Sequence, residues 1–497
     1  MLWLTVIALL PRLVAALFSG GYFASDDHFL VIEAAGSWVQ APSYNTWMPW
    51  NQPGEPQPSG HSLVYVGLHY LFLSLLWKVG LTDPKVAMVL VRLLHAIWSL
   101  VAVRTGYRIA LRWSDEGTAW QVGLFLALFC FMPFLAVRNL VEVVVIPLLT
   151  LSAWWLVKQK EGPTMRDVFI AGLWVGLAIN IRFQTIFFAA GAPLVLLFRQ
   201  PAKAIVMGLG ILIPIAVLQG GIDLFIWGRP FAEITEYVRY NLANPTTYFD
   251  QPWYNYLLLL AALYLPPFSL AVFTGFWMGW RRHALVWLPV LLFLAAHSWF
   301  PNKQERFILP IITLFFILGL VNWELWRRRS TWWQERASFW KGVLAWTWGL
   351  NMLLLLPLCL NSSKQSRVDA MYLLREAGNV RGFIVEDTHE GEAPLMPLFY
   401  LGQWQMTVEQ VTDPAQDLGD LLVRYPDAVR PNVILFFGLE DLEARQARAA
   451  TALGRLEEIG RAEPGLLDKV VHWLNPINRN ETIVICRITD PTAGLQP

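Results

Sequence analysis

Apolar runs of roughly 12 to 25 residues recur through most of the chain, divided by short polar segments that hold most of its arginines and lysines. A helix rises about 1.5 Å per residue, so about 20 mainly apolar residues cross the hydrocarbon core of a bilayer. The pattern predicts about eleven spanning helices, over residues 2–18, 86–108, 121–137, 143–157, 168–181, 186–197, 205–222, 256–280, 284–300, 308–326 and 343–360. The run 62–79 is long enough to cross, yet counting it would put Arg104, Arg108 and Arg112 outside. Its Trp, Tyr and His content fits a helix lying in the interface.

With the N-terminus inside, Arg104, Arg108, Arg112, Lys158, Lys160, Arg199, Lys203, Arg281, Arg282, Arg327, Arg328 and Arg329 all fall on the cytoplasmic side, as the positive-inside bias requires. The loops 19–61 and 223–254 then face outward, as do Arg138, Asn139, Glu142, Arg182 and the segment 302–306. Lys303 and Arg306 break the charge rule. From residue 361 the apolar runs shorten. Residues 382–386, 432–437 and 482–487 read as buried strands and 441–462 as an exposed helix, so 361–497 is expected to be a small extracytoplasmic α/β domain beside a transmembrane domain of residues 1–360.

Composition narrows the class. Of 497 residues 56% are hydrophobic and 15% charged, against about 25% charged in soluble domains. The net charge of +1 says nothing about nucleic acid, but no strongly basic arm is present and no nucleic-acid partner is expected. Twenty-six tryptophans suit a protein with many membrane–water boundaries. Cys130, Cys359 and Cys486 form no disulfide framework, and the first two read as buried thiols. The first apolar run lacks a basic n-region, so it reads as an uncleaved span.

Candidate chemistry concentrates in the outward segments. The loop 19–61 carries Asp26, Asp27, His28, Glu33, Trp38, Trp47, Trp50 and Glu55. Two adjacent carboxylates near low dielectric are costly unless something uses or compensates them. Either can take the proton of an acceptor hydroxyl, and either can instead cap a helix. Asn139 and Glu142, three apart, share a helix face. Arg182 lies between two apolar runs, where it either snorkels or binds a phosphate. The two outward cations Lys303 and Arg306 need an anionic partner, either a phosphate or, for Arg306, the neighbouring Glu305. No glycine-rich phosphate fingerprint is present, and His61, His69 and His297 lack metal-ligand spacing.

As a set these pieces resemble the mannosyltransferases of N-glycan and GPI-anchor assembly, glycosyltransferase family twenty-two of the GT-C superfamily. Tyr22-Phe23-Ala24-Ser25-Asp26-Asp27-His28-Phe29 resembles that family's His-Pro-Asp-Glu-His-Phe. Arg138-Asn139-Leu140-Val141-Glu142 is similar to Ser-Asn-x-x-Glu. The stretch from Asp223 through Tyr240-Asn241 to Gln251-Pro252-Trp253-Tyr254 is similar to its long loop. His297-Ser298 followed by Asn302-Lys303-Gln304-Glu305-Arg306-Phe307 resembles His-Ser and His-Lys-Glu-Glu-Arg-Phe. Asp27, Asn302 and Gln304 stand where the family has Glu, His and Glu.

The resemblance implies a GT-C fold and inverting transfer of a mannosyl residue from a polyprenyl or dolichyl phosphate to a hydroxyl of a glycolipid or lipid-linked glycan. It implies Asp26 or Asp27 as catalytic base, with Lys303, Arg306 and Arg182 on the donor phosphate. Substrate contacts would come from His28, Asn139, Glu142, Trp253, Tyr254, His297 and Glu305. These groups are expected to converge in one outward cavity of a multi-pass protein of a bacterial plasma membrane, or of the endoplasmic reticulum with a luminal site. No cofactor is demanded, and a divalent metal on Asp26, Asp27 and Glu142 is not required. The alternatives are transfer of another sugar to lipid A or protein, and a lipid or glycan transporter. Transporters carry their charges near the bilayer centre between related halves, whereas here they crowd one boundary.

Overall fold

A helix that is apolar on every side is either enclosed by protein or faces lipid, and in Leu309–Arg327 every residue from Leu309 to Glu324 is buried. The computed structural model that places it describes residues 1–44, 48–247, 250–391 and 393–489; Trp47 lies outside them. The chain divides into two units, one of Met1–Phe18, Thr46–Leu68 and Val89–Leu360, the other of Ser19–Asn45, His69–Met88 and Asn361–Pro497.

In the first unit the helices Glu116–Leu128, Val141–Val157, Phe268–Met278 and Ala284–Trp299 pack around Leu309–Arg327. The contact with Phe268–Met278 is backbone to backbone. A Cβ on Gly275 would lie 1.9 Å from the Gly319 carbonyl oxygen, and one on Gly319 2.3 Å from that of Val272, so only glycine allows this approach.

Four described helices are long and apolar enough to cross a membrane: Pro84–Trp113, Pro201–Trp227, Glu305–Arg327 and Ala337–Leu360. Leu2–Phe18, Leu63–Lys78, Val141–Val157, Phe183–Arg199 and Ala284–Trp299 are shorter apolar helices. The expected single span 256–280 is corrected to a bent pair, Asn255–Leu263 and Phe268–Met278, turned by 119°. Pro266 and Pro267 cannot donate to the helical ladder, and Leu265 before them adopts a φ of 57°.

The run 121–137 also breaks, into Glu116–Leu128 and Phe131–Ala136, because Pro133 has no N–H for the Phe129 carbonyl. The carbonyls exposed at the break are taken up by two side chains. Arg12 donates to Leu126 and Ala127 at 3.0 and 2.8 Å, and Asn351 donates to Leu128 at 2.8 Å while accepting from the Cys130 amide at 2.7 Å.

The two expected outer loops contain helices. Residues 19–61 contain Ser25–Asp27, His28–Glu33 and Ala34–Gln40, and 223–254 contains the end of Gly221–Trp227 and all of Ala232–Ala243.

The second unit holds a five-stranded sheet of β1 (Gly382–Glu386), β2 (Thr407–Val411), β3 (Val433–Phe437), β4 (Leu456–Ala462) and β5 (Ile483–Ile488), ordered β2-β1-β3-β5-β4. β1 pairs in parallel with β2 and β3, while β5 runs antiparallel to β3 and β4. Ile384, Ile434, Phe436 and Val484 pack with Leu421, Ala449 and Leu453 of the covering helices. The expected helix 441–462 ends at Leu453, where Gly454 takes a φ of 92°, and its second half is the edge strand β4. Gly21 bridges Ser363, which places the start of the first loop in this unit.

Candidate active site

The first unit gathers charged side chains from three helix ends. Glu142 lies in the first turn of Val141–Val157, where the positive end of the helix dipole favours a carboxylate. Arg182 follows the end of Met165–Ile179, a helix started by a capping box between Thr164 and Asp167. Arg306 sits in the turn Glu305–Ile308 that Pro310 leads into the central helix.

Arg182 Nη2 is 3.0 Å from Glu142 Oε1, and Arg306 Nε is 3.9 Å from the same oxygen. Glu142 has no exposed side-chain surface, and the two arginine side chains are 13% and 8% exposed. Two guanidinium groups against one carboxylate leave this group with a formal charge of +1, from 2 − 1. Both oxygens of Glu142, and Nε and Nη2 of Arg182, are buried and make no hydrogen bond among the described residues. Charge rather than an aligned hydrogen bond holds Arg182 against Glu142.

Around the charges stands an aromatic and amide shell. Both guanidinium groups lie over the Phe307 ring, at 4.9 and 5.6 Å. Arg306 Nε donates to Gln304 Oε1 at 2.8 Å, and the Tyr256 hydroxyl donates to the Gln304 carbonyl at 3.1 Å. His297 bonds the Phe293 carbonyl through Nδ1 at 2.8 Å and meets the Gln184 amide at 3.3 Å. Tyr237 packs edge-on against Phe183. Burial raises its phenol pKa, and the nearby Arg182 opposes the rise. Tyr237 and Tyr256 carried no sequence signal beyond aromaticity.

The other predicted residues of this unit stand apart from that group. Lys303 Nζ donates to the carbonyls of Phe300, Gln251 and Pro301 at 2.6, 2.9 and 3.4 Å. Its three donors therefore fasten the loop before Arg306. Asn139 Oδ1 accepts from the Tyr65 hydroxyl at 2.7 Å, and that hydroxyl also meets His95 Nε2 at 2.5 Å. Trp253 and Tyr254 are exposed and touch edge to face, and Glu305 is exposed.

The helical loop 223–254 contains a second acidic feature, one that sequence reasoning missed. Glu233 Oε2 accepts from Gly60 N, Ser59 Oγ and His61 N at 2.6, 3.1 and 3.2 Å. Burial pushes the Glu233 carboxyl up to about 7, against three hydrogen bonds that lower it. Asp223 accepts from Gln219 and from the Glu233 amide, closing the turn. Beside it a cavity of about 540 Å³ is lined by Glu55, Trp227, Arg229, Thr235, Glu236 and Arg239.

In the second unit Asp26 is exposed and Asp27 buried, on the short helix Ser25–Asp27. His28 lies between Tyr22 and Tyr400, with ring centroids at 4.4 and 5.4 Å. Its Nε2 is 3.2 Å from Glu33 Oε1, which also accepts the Phe399 amide at 2.8 Å. The ring is thus packed on both faces and bonded at one nitrogen within this unit.

A sequence profile of the Alg9-like mannosyltransferase family matches residues 3–381. No curated protein sequence matches the chain. The chain is similar to the crystal structure of ArnT from Cupriavidus metallidurans bound to undecaprenyl phosphate, with a TM-score of 0.60 and 12% identity over 100% of this chain and 99% of that one. Against the apo state the TM-score is 0.62, again at 12% identity, over 100% and 98%. The Archaeoglobus fulgidus oligosaccharyltransferase in the apo form aligns with a TM-score of 0.49 and 10% identity, over 90% and 71%. The fold is that of the GT-C glycosyltransferases.

Proposed function

Because the chain belongs to the Alg9-like mannosyltransferase family, and is therefore a membrane glycosyltransferase, we propose that it transfers a mannosyl residue from a polyprenyl or dolichyl phosphate to a hydroxyl of a glycolipid or lipid-linked glycan. The observation that carries this reading is the group of Glu142, Arg182 and Arg306, in which Arg182 Nε and Nη2 are buried and make no hydrogen bond among the described residues. A planar guanidinium fork matches a phosphate. The undecaprenyl phosphate bound by the Cupriavidus protein is a carrier of the same chemistry.

In this reading the acceptor oxygen attacks the anomeric carbon. The bond from that carbon to the phosphate oxygen breaks, its electron pair passing to the phosphate, with inversion. Charge develops on the leaving phosphate, where Arg182 and Arg306 stabilise it. A phosphate leaves without a proton, so a single base suffices, taking the acceptor's hydroxyl proton. Exposed Asp26 is assigned that role ahead of buried Asp27. Glu142 positions the two arginines, and Lys303 holds the loop that presents Arg306. The cavity beside Glu233 offers sugar hydroxyls the carboxylates Glu55 and Glu236, the guanidinium groups Arg229 and Arg239, and the Trp227 ring, and is assigned to the acceptor. The prenyl tail would lie against the apolar helices, each buried CH₂ contributing about 0.8 kcal/mol. About eleven crossings, with the motifs facing away from the cytoplasm of a bacterial cell, complete the proposal.

The test is incubation of purified protein with radiolabelled polyprenyl-phosphate-mannose and a lipid extract, beside the same carrier bearing glucose or aminoarabinose. Label entering a glycolipid from the mannosyl donor supports the reading. Label entering only from another sugar reassigns the donor, and no transfer from any carrier overturns it.

A further inference from the structure

The sheet of the second unit changes direction between β1 and β3, since β2 lies on one side of β1 and the later strands lie on the other. Ligands of open α/β sheets bind beyond the carboxyl ends of the strands at such a switch point. Asp387 directly follows β1 there, with His389 and Glu390 after it, and Gly438 directly follows β3. β5 is antiparallel to β3, so Glu481, just before β5, reaches the same edge, where the Gly438 amide donates to the Thr482 carbonyl at 2.9 Å.

Asp387 is fully buried. One of its oxygens is bound by Arg479, while Oδ1 lies 3.0 Å from His389 Nδ1 and accepts no hydrogen bond among the described residues. His389 Nε2 lies 3.2 Å from Glu481 Oε2, and Arg479 Nε donates to Glu481 Oε1 at 3.1 Å. His389 Nε2 and Glu481 Oε2 share a hydrogen bond, and an ion held by both atoms would take the place of its proton, with the Asp387 carboxylate at 3.0 Å behind Nδ1 to stabilise the ring. Asp387, Glu390 and Glu481 against Arg479 sum to −2, from −3 + 1, and with Glu386 and its partners Arg445 and Arg448 alongside the sum is −1, from −4 + 3. The space is also kept open: a Cβ on Gly438 would lie 2.6 Å from both His389 Nε2 and Glu481 Oε2.

We propose that His389, Glu481 and Glu390 bind a divalent transition-metal ion, zinc by the match of imidazole and carboxylate donors, with Asp387 orienting the histidine from behind. The three ligand atoms lie within 4.8 Å of one another, whereas tetrahedral zinc with bonds of about 2.1 Å sets its ligands about 3.4 Å apart. Exposed Glu390 closes the difference. The ion staples the end of β1 to the start of β5, and the claim is independent of the donor site in the first unit.

The test uses the full-length protein in detergent, stripped with EDTA, reloaded with zinc sulfate, desalted and assayed for zinc by mass spectrometry. About one zinc per chain is expected, with a rise in thermal midpoint of several degrees on loading. His389→Ala and Glu481→Gln should retain less than about a tenth of that zinc and show no rise, while His472→Ala retains it. Glu481→Gln preserves shape, so it decides the matter even where His389→Ala fails to fold. Wild type without retained zinc, which leaves a proton on His389 as the shared cation, overturns the proposal. So does equal retention in wild type and both ligand variants.

Discussion

Arg182 Nη2 and Glu142 Oε1 stand 3.0 Å apart although one residue follows the end of a helix and the other begins a different one. Arg306 approaches the same oxygen at 3.9 Å. Removing the carboxylate takes the charged partner at 3.0 Å from an Arg182 side chain that is 13% exposed, which costs about 3–5 kcal/mol. Glu142→Gln should therefore lower the thermal midpoint sharply. Glu142→Gln combined with Arg182→Met should be less destabilised than the sum of the single changes, because the second removes a charge that the first left unpaired. Strict additivity of the two would show that the residues do not act as a pair.

Lys303 and Arg306 are three apart and were expected to do the same job, yet their donors go to different partners. The Lys303 ammonium is spent on backbone carbonyls, so Lys303→Met should cost stability, about 1–3 kcal/mol for carbonyls left unsatisfied. Donor KM of the folded enzyme should change less than about threefold. A tenfold rise in donor KM with an unchanged melting temperature would return Lys303 to the phosphate.

Glu233 sets a pH dependence whose sign is determinate. Its carboxyl rises from an ordinary 4.5 to about 7 on folding. Between those values the folded chain holds a proton that the unfolded chain has lost. Stability therefore falls as pH rises through that window and is level above it, by at most about 3 kcal/mol. Thermal melts from pH 4.5 to 8 should fall more steeply with pH in wild type than in Glu233→Gln, which keeps an acceptor for the Gly60 amide. Parallel profiles in the two proteins would contradict the assignment.

What the sequence made legible follows from which residues declare their surroundings. β1, β3 and β5 each carry a short apolar run, residues 383–385, 433–437 and 483–486, as strands covered on both faces do. The edge strands Thr407–Val411 and Leu456–Ala462 mix polar and apolar residues, and pairing with β1 and β5 decides their conformation. The helix breaks near Phe129 and Leu265 lie inside uniformly apolar stretches, where only the prolines mark them. Arg306 and Arg182 drew attention as cations out of place. Glu233 and Tyr237 sit in a polar loop whose burial comes from residues 59–61 and Phe183, contacts no local pattern records. His28 belonged to a suggestive triplet, but one of its ring partners, Tyr400, is far along the chain.

Asp26 and Asp27 are neighbours with opposite environments, one exposed and one buried. Asp26→Asn should abolish transfer, by a factor of about 10² or more in kcat, while donor affinity is retained. Asp27→Asn should act mainly through stability, with the kcat of the folded fraction within about tenfold. An active Asp26→Asn beside a dead but folded Asp27→Asn would move the base by one position.

If the arginine pair is the seat of the donor phosphate, equilibrium binding of a polyprenyl phosphate to purified wild type, Arg182→Ala and Arg306→Ala tests it most directly. Each substitution removes a charge-assisted contact of about 1.5–3 kcal/mol, so affinity should fall about tenfold or more in each folded variant. Wild-type affinity in both variants would contradict the central claim.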